Sequence, residues 1–368
     1  MRILMLNTER GWRGGERQTL LSLMHYQAQG HQVSLLARRG HELAHRAQRA
    51  GIHVHTIKGP IQALAYLILQ GRRYDIVHAQ TAACMTWLAL LSPLLGARTV
   101  FTRRTAFPIT GHGTVSSKRL SYKEKSTRWK WSRATALVAI SQAAAAEPQR
   151  LGLPIDIIPS AVDYHAANPQ HIQHLRAHYG LDRYAHVLGT SAAHTVEKDP
   201  ATLIRAVHAL YRQRQDFIFL HFGASGSETA TMQAMIQQFG LQDCYLLCGF
   251  EEHIEDAYRL LDVFVLSSRH EALGSSVLDA FIYQVPVVAT TTGGLPELLG
   301  QDRGLACAVG DHTAMANAMA HLLTNPQLTQ QLRQQAYQWV TRTHSVPAMA
   351  QQYLRLYQRV LNRSSGTL

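Results

Sequence analysis

The densest cluster of polar residues in the chain lies in the stretch 263–300, VFVLSSRHEALGSSVLDAFIYQVPVVATTTGGLPELLG. Glu271 is followed eight residues later by Asp279. Between them Gly274-Ser275-Ser276 reads as the start of a helix: a flexible residue, two hydroxyl caps, then an apolar face of Val277, Leu278, Phe281 and Ile282. Free amides and the positive dipole end of such a start point at one spot, where an anion such as a phosphate fits. Two carboxylates then flank an anion site. A second helix start follows, where Thr290-Thr291-Thr292-Gly293-Gly294 turns into Leu295-Pro296-Glu297 with a proline suited to a first turn. Without a ligand, the same residues read as ordinary caps and turns of an α/β domain, and that alternative stays open at this level.

Three further places could carry chemistry. In Glu197-Lys198-Asp199-Pro200 a lysine precedes a helix over 201–213, a mobile point charge suited to a diphosphate, or else a solvated loop residue. Arg103 and Arg104 end a predicted strand, where two adjacent guanidiniums call for an anion or carboxylate to answer them; a structural ion pair is the alternative. His78 ends the strand before it. Gly14-Gly15 closes the loop after the first strand, but the loop is not G-x-G-x-x-G, so dinucleotide binding is poorly supported.

The elements that must position these residues alternate. Arg2 to Leu6, Val33 to Ala37, Val54 to Ile57, Ile76 to His78 and Val100 to Arg104 read as strands with helical segments between them, as do Val263 to Leu266 and Val285 to Ala289. Short β-branched runs of this kind belong to parallel strands buried on both faces, and the alternation predicts doubly wound sheets with ligands beyond the strand carboxyl ends. The 368 residues suffice for two domains. Tyr164 to His186 lacks a strand signal and is taken as the connection, giving an N-terminal domain over 1–168, a second over 169–343 and a terminal helical segment over 344–368.

Composition narrows the function classes. The four cysteines are scattered, and Cys244 with Cys248 is one residue too long for a CxxC pair, so reduced buried thiols are expected. The first residues carry too short an apolar run for a secretory signal, and the most apolar segment, Ala82 to Leu95, falls short of the roughly 20 residues of a membrane span. A cytoplasmic protein is expected. Of 21 histidines, His171, His174 and His178 could share a helix face, as could His41 and His45, but neither set has an obvious carboxylate or Cys partner in the sequence; surface histidines and no metal are expected. Residues 1–184 hold 24 Lys and Arg against 9 Asp and Glu, and residues 185–368 hold 12 against 15, or +15 against −3. Such a basic half can face nucleic acid, an anionic membrane or a phosphorylated acceptor.

A Glu, seven residues, then an acid, followed by V-P-V-V-A-T and G-G-x-P-E, resembles the donor-site signature of the family-4 retaining glycosyltransferases of the GT-B fold, of the kind that builds cell-envelope polysaccharide or lipopolysaccharide. Asp279 stands where that family usually has Glu. Gly14-Gly15-Glu16-Arg17 stands where that family has a G-G-x-E turn, and Ser160-Ala161-Val162-Asp163 resembles its Asn-Gly-Val-Asp. The resemblance covers nearly the whole chain and implies two Rossmann-like domains facing a central cleft, with the terminal helix crossing back to the first domain. It implies transfer of a sugar from a nucleotide diphosphate sugar to an acceptor with retention, no metal or other cofactor, and a lipid-linked or lipopolysaccharide-type acceptor. Glu271, Lys198 and Arg269 would be the catalytic residues; Gly14, Gly15, Gly249, Phe250, Gly274, Ser275, Ser276 and Asp279 would bind donor; His78, Arg103 and Arg104 would lie on the acceptor side. The family's arginine five residues before the lysine is Ala193 here, and Arg269 is the candidate replacement. A nucleotide-sugar epimerase of the same fold is the alternative, and a basic nucleic-acid-binding protein a second from another class, which the lack of an RRM-like or helix-turn-helix pattern disfavours.

Ser116 to Arg133 holds seven Lys and Arg against Glu124 and interleaves Leu120, Tyr122, Trp129 and Trp131. Basic and aromatic residues together suit an anionic leaflet, so peripheral contact with the inner face of the membrane is expected here, with an ordinary solvated helix leading into the strand at Ala136 as the alternative. On a helix Leu120 and Trp131 would oppose Tyr122 and Trp129, so no single apolar stripe forms and one pair would pack inward.

Overall fold

A computed structural model describes residues 1–109 and 120–362. The chain divides into two compact units, Met1–Ala161 with Val346–Leu368, and Val162–Ser345. Both are α/β, each built on a parallel sheet.

The first unit opens with β1 (Arg2–Asn7), α1 (Gly14–Ala28), β2 (Gln32–Arg38), α2 (Glu42–Arg49), β3 (His53–Ile57) and α3 (Pro60–Gln70). It continues with β4 (Ile76–Ala79), α4 (Ala82–Leu95), β5 (Arg98–Arg103), α5 (Tyr122–Ser132), β6 (Ala136–Ala139), α6 (Gln142–Arg150) and β7 (Asp156–Ile157). Among the described residues the sheet has seven strands in the order β3-β2-β1-β4-β5-β6-β7. Its strands alternate between two cores as a pleat requires: Ile3, Met5 and Leu35 face one side with Tyr26 and Leu43, and Leu4, Leu6 and Leu36 the other with Leu67 and Leu88. The order reverses between β1 and β4, the place where such sheets take ligands.

The second unit begins with α7 (Pro169–His178), within the stretch expected to be connection. Asn168 caps it by accepting from the His171 amide at 3.2 Å, and Pro169 fits the first turn. There follow β8 (His186–Ser191), α8 (Pro200–Tyr211), β9 (Phe217–Phe222), α9 (Thr229–Gln238), β10 (Tyr245–Gly249) and α10 (Ile254–Tyr258). Next come β11 (Val263–Leu266), α11 (Ser275–Ile282), β12 (Val287–Thr290), α12 (Leu295–Leu299), β13 (Leu305–Cys307), α13 (His312–Thr324) and α14 (Pro326–Thr343). The described sheet is six-stranded, β10-β9-β8-β11-β12-β13, and reverses between β8 and β11. The first and last residues of this unit lie side by side, Val162 N–H donating to His344 O at 2.8 Å.

The last helix, α15 (Val346–Asn362), packs into the first unit. Met349, Tyr353, Leu356, Tyr357 and Val360 recur at helical spacing and join the core that holds Ile3, Met5 and Tyr26. Polar atoms are matched there too: His78 bonds Tyr357 Oη at 2.7 Å through Nδ1 and Thr102 Oγ1 at 2.8 Å through Nε2, and Thr102 Oγ1 meets Tyr353 Oη at 3.0 Å.

Two expectations about chemistry outside the sheets can be placed. No helix among the described residues is long and apolar enough to cross a membrane, and all four cysteines are free. His171 does have carboxylate partners, Asp256 Oδ2 at 3.1 Å and Glu251 Oε1 at 3.8 Å, supplied from the β10–α10 region that sequence distance concealed.

Burial lowers His78 and His221, which serve the two units in turn, to about 3. Both imidazoles are therefore neutral when folded, whereas an unfolded histidine protonates near about 6.5. The stability they support is complete above about pH 6.5 and is lost as pH falls toward about 3, by roughly 2 kcal/mol per imidazole at about pH 5. Urea unfolding midpoints at about pH 7 and about pH 5 should differ accordingly, and His78→Gln should shrink the difference for the first unit's transition. A pH slope identical in wild type and variant would exclude this role.

Candidate active site

In the second unit, the loops after β8 and β11 meet at the strand-order reversal. After β11 ends at Leu266, Ser267 ties the neighbouring loop: its Oγ donates to Lys198 O at 2.8 Å and to Asp199 O at 3.0 Å. Arg269 N–H adds a bond to Glu197 O at 2.8 Å. These contacts hold Lys198 beside Glu271, and their side chains form an ion pair of 2.5 Å, the lysine 24% and the glutamate 15% exposed. Ser268 Oγ also reaches Glu271 Oε2 at 3.3 Å.

The loop after β12 closes on Glu271 from the other side. Thr290 Oγ1 donates to Ser268 O at 2.6 Å, Thr292 Oγ1 to Arg269 O at 2.8 Å, and Gly294 N–H to Glu271 O at 3.1 Å. Gly293 has φ +55°, and a Cβ there would lie 1.6 Å from Glu271 O, so only glycine permits the approach. At Gly274, φ is +102° and a Cβ would meet Leu295 at 2.5 Å. That residue starts α11 with no side-chain cap, so the first amides, at Ser275 and Ser276, are presented without an intrahelical acceptor and without an acidic residue in the first turn. Asp279, 8% exposed, lies in the next turn.

Arg269, the candidate phosphate arginine, is tied to the lysine loop. Its guanidinium clasps Asp199, Nε to Oδ2 at 2.8 Å and Nη2 to Oδ1 at 3.1 Å, which holds it above its ordinary pKa. Asp199 is 3% exposed with φ +46° and also accepts from Thr202 Oγ1 at 2.7 Å. In the sequence Asp199 is only the residue after Lys198 in the loop before a helix; its pairing with Arg269 across 70 residues carries no local signal. His194 was likewise not anticipated. It is 2% exposed in the loop after β8, bonds Thr229 Oγ1 at 3.0 Å through Nδ1, has no partner for Nε2 among the described residues, and is lowered in pKa by burial. At the end of β10, Gly249 adopts φ +74°, and Phe250, which follows it, is 63% exposed.

The first unit's expected residues separate by role. Gly14 and Gly15 form the first turn of α1, and Glu16 accepts from Arg13 N–H at 3.1 Å and Asn7 Nδ2 at 3.3 Å, burial raising its carboxyl pKa. Arg104 lies against Gly15 and donates to Gln80 Oε1 at 2.7 and 3.1 Å and to Ser160 Oγ at 3.3 Å, all neutral acceptors. Arg103 is buried, its nitrogens held by Ala144 O at 2.6 Å and Phe107 O at 2.7 Å over the ring of Trp131, and burial draws it down to about 10. No carboxylate ion pair answers either arginine among the described residues. His78, with both nitrogens bonded inside the core, has the geometry of a packing residue. On α5, Trp131 is 8% exposed while Tyr122 and Trp129 face out; Leu120, just before the helix, packs inward, and Ser116 to Arg119 lie outside the described residues.

Comparison with known proteins agrees with this division. Residues 12–166 match the family model Glycosyltransferase Family 4, and residues 173–339 match Glycosyl transferases group 1. The chain is 29% identical over 246 residues to 2-deoxystreptamine glucosyltransferase of Streptomyces kanamyceticus, covering 64% of this chain and 63%, under two thirds, of that relative. It is 28% identical over 261 residues to the lipopolysaccharide core biosynthesis mannosyltransferase LpsB of Rhizobium meliloti, covering 68% and 70%. Its fold is similar to that of Anabaena HepE, solved in complex with UDP, at TM-score 0.85 and 19% identity over 98% of this chain and 100% of that one. Two parallel-sheet units in this topology, matched in turn by the two family models, place the chain among the family-4 glycosyltransferases of the GT-B type.

Proposed function

We propose that the protein transfers a hexosyl group from a nucleotide diphosphate sugar to a lipid-linked or lipopolysaccharide-type saccharide, with retention and without a metal. The observation that carries this reading is the Lys198–Glu271 pair set beside the uncapped start of α11 at the strand-order reversal. When the bond from the anomeric carbon to the diphosphate breaks, negative charge grows on the phosphate oxygen that leaves. The Lys198 ammonium and the Ser275 and Ser276 amides supply fixed positive charge for it. Glu271 accepts hydrogen bonds from sugar hydroxyls, Asp279 holds the ribose, and Phe250 offers an exposed ring to the base beside Gly249. Arg269, bound to Asp199 through Nε and Nη2, steadies the lysine loop and keeps Nη1 for phosphate.

The solved neighbour with UDP and UDP-glucose supports UDP as the first donor nucleotide to test, and the name of LpsB supports a saccharide acceptor. Named relatives are transferases, which favours transfer over epimerisation or nucleic-acid binding. In the first unit, Gly14, Gly15 and Arg104 form the polar edge assigned to substrate. The outward face of α5, with Tyr122, Lys123, Lys125 and Trp129, is assigned to an anionic leaflet, where the protein would act on the inner side of the membrane.

Because Lys198 is shared between Glu271 and the incoming diphosphate, the two interactions oppose each other before catalysis. Glu271→Gln should therefore bind UDP several-fold more tightly than wild type by calorimetry, yet lower kcat about 100-fold or more. Weaker UDP binding with unchanged turnover would contradict the assignment. Lys198→Ala should weaken UDP about 10- to 100-fold and uridine less than about twofold, because only the former offers phosphates. Equal losses for the two ligands would place the lysine away from the diphosphate.

Gly293→Ala tests the positioning of Glu271. The added methyl meets a carbonyl oxygen at a left-handed φ, so stability should fall by at least about 2 kcal/mol in urea unfolding. Transfer should fall further than the unfolded fraction accounts for. An active, equally stable variant would show that the β12 loop does not hold the carboxylate.

A further inference from the structure

The first unit contains a cavity of about 370 Å³ that the donor chemistry does not use. It lies beyond the carboxyl end of β5, between the first turn of α4 and the inner face of α5. Met85, Phe101, Phe107, Ile109 and Trp131 supply apolar walls. Arg103 adds a flat one, because two of its nitrogens are bonded to Ala144 O and Phe107 O and its plane covers Trp131. Lys130 is the remaining lining cation, half-buried on α5, and the residues Ala82 and Ala83 bring the opening turn of α4 to the same space. Among the described lining residues there is no Asp, Glu, Asn, Gln or His; hydroxyls come from threonines alone.

This lining discriminates between ligand classes. A saccharide presents many hydroxyls, each needing a donor and acceptors, and the described lining offers them three threonines and Lys130 against a wall that is otherwise mostly apolar. An apolar body ending in one anion matches both the walls and the cations. The volume is at the low end of the roughly 300–1,000 Å³ of small-molecule pockets, enough for the first segment of a chain. A longer chain has a path outward: Ala83 and Thr86 line the cavity, and Leu90 and Leu94, one and two turns further along the same side of α4, are 56% and 53% exposed.

We propose that this cavity is the site for the lipid end of the acceptor, taking an alkyl or isoprenoid segment against Trp131, Phe101 and Met85 with its phosphate at Lys130 and the start of α4. The assignment rests on the reading of the protein as a transferase with a lipid-linked acceptor. It puts the acceptor's sugar and its lipid under separate control: the cavity selects for an amphiphilic phosphate and is indifferent to the saccharide.

Calorimetry on the full chain tests this with decyl phosphate kept below its micelle-forming concentration, decanol and inorganic phosphate as probes, and UDP as a control. Wild type should bind decyl phosphate at least about tenfold more tightly than inorganic phosphate, since the apolar body contributes most of the affinity. Ala83→Trp, from α4, and Thr127→Phe, from α5, each fill the cavity from a side chain outside the buried core and should abolish decyl phosphate binding while UDP affinity stays as in wild type. Lys130→Gln should weaken decyl phosphate about fivefold and leave decanol unchanged. Absence of decyl phosphate binding to wild type, undiminished binding in both filled variants, or equal affinity for inorganic phosphate would each overturn the site. Loss of the UDP signal in wild type with decyl phosphate binding intact would instead overturn the transferase reading and leave the cavity an amphiphile site.

Discussion

Both units depend on the same constraint: a parallel strand buried on two faces has no polar side that can reach water except at its ends. Ile3 and Leu4 point to opposite cores, as do Met5 and Leu6, so β1 cannot carry a functional group along its length. Chemistry is therefore displaced to the carboxyl-end loops. Where the strand order reverses, neighbouring loops diverge to opposite sides and leave backbone uncovered. The loops after β8 and β11 are at such a point, and Lys198, Glu271 and the start of α11 assemble there.

What makes this loop cluster a defined site is its internal bonding. Ser267 and Ser268 turn their hydroxyls back into the loops, Thr290 and Thr292 anchor the carbonyls of Ser268 and Arg269, and Gly293 lets one chain touch another. Glu271 thus has its backbone oxygen and its carboxylate fixed by different elements. The Lys198–Glu271 pair is a partly exposed contact whose importance lies in placement; its net stabilisation is modest, since desolvating both charges offsets much of their attraction. Asp199 plays the corresponding part on the lysine side, with a left-handed backbone, a bond to Thr202 and the clasp on Arg269.

The first unit handles its polar groups in another way. His78, Thr102, Tyr353 and Tyr357 join β4, β5 and α15 in one hydrogen-bonded chain inside an apolar core. Such a network makes the seating of α15 specific, because a shift of one residue would leave a buried imidazole unpaired. Arg103 and Arg104 diverge for the alternation that governs every strand end: the first turns into the core toward Trp131, and the second turns toward Gly15 and Gln80. The excess of basic residues in this half, by contrast, is distributed over loops and helix surfaces, where it bears on partners more than on fold.

Apolar runs, glycine and proline punctuation and the order of strands and helices are local properties, and they suffice for the α/β class, the doubly wound sheets and the start of α11 at Gly274 to Ser276. The spacing from Glu271 to Asp279 is local too, so the acidic pair was legible with its resemblance. The helix over Pro169–His178 does not show in the sequence because its apolar face is one buried leucine, Leu175, too little to form a period. Partner choice lay beyond the sequence altogether. Arg269 faces Asp199 and His171 faces Asp256, and His78 is closed in by two tyrosines almost 280 residues away. Such pairings depend on which loops the sheet order brings together, and that order is set by long-range burial of strand faces, which no local window contains. Which charged groups remain to meet a ligand is thus settled by the folded arrangement of loops and not by any segment alone.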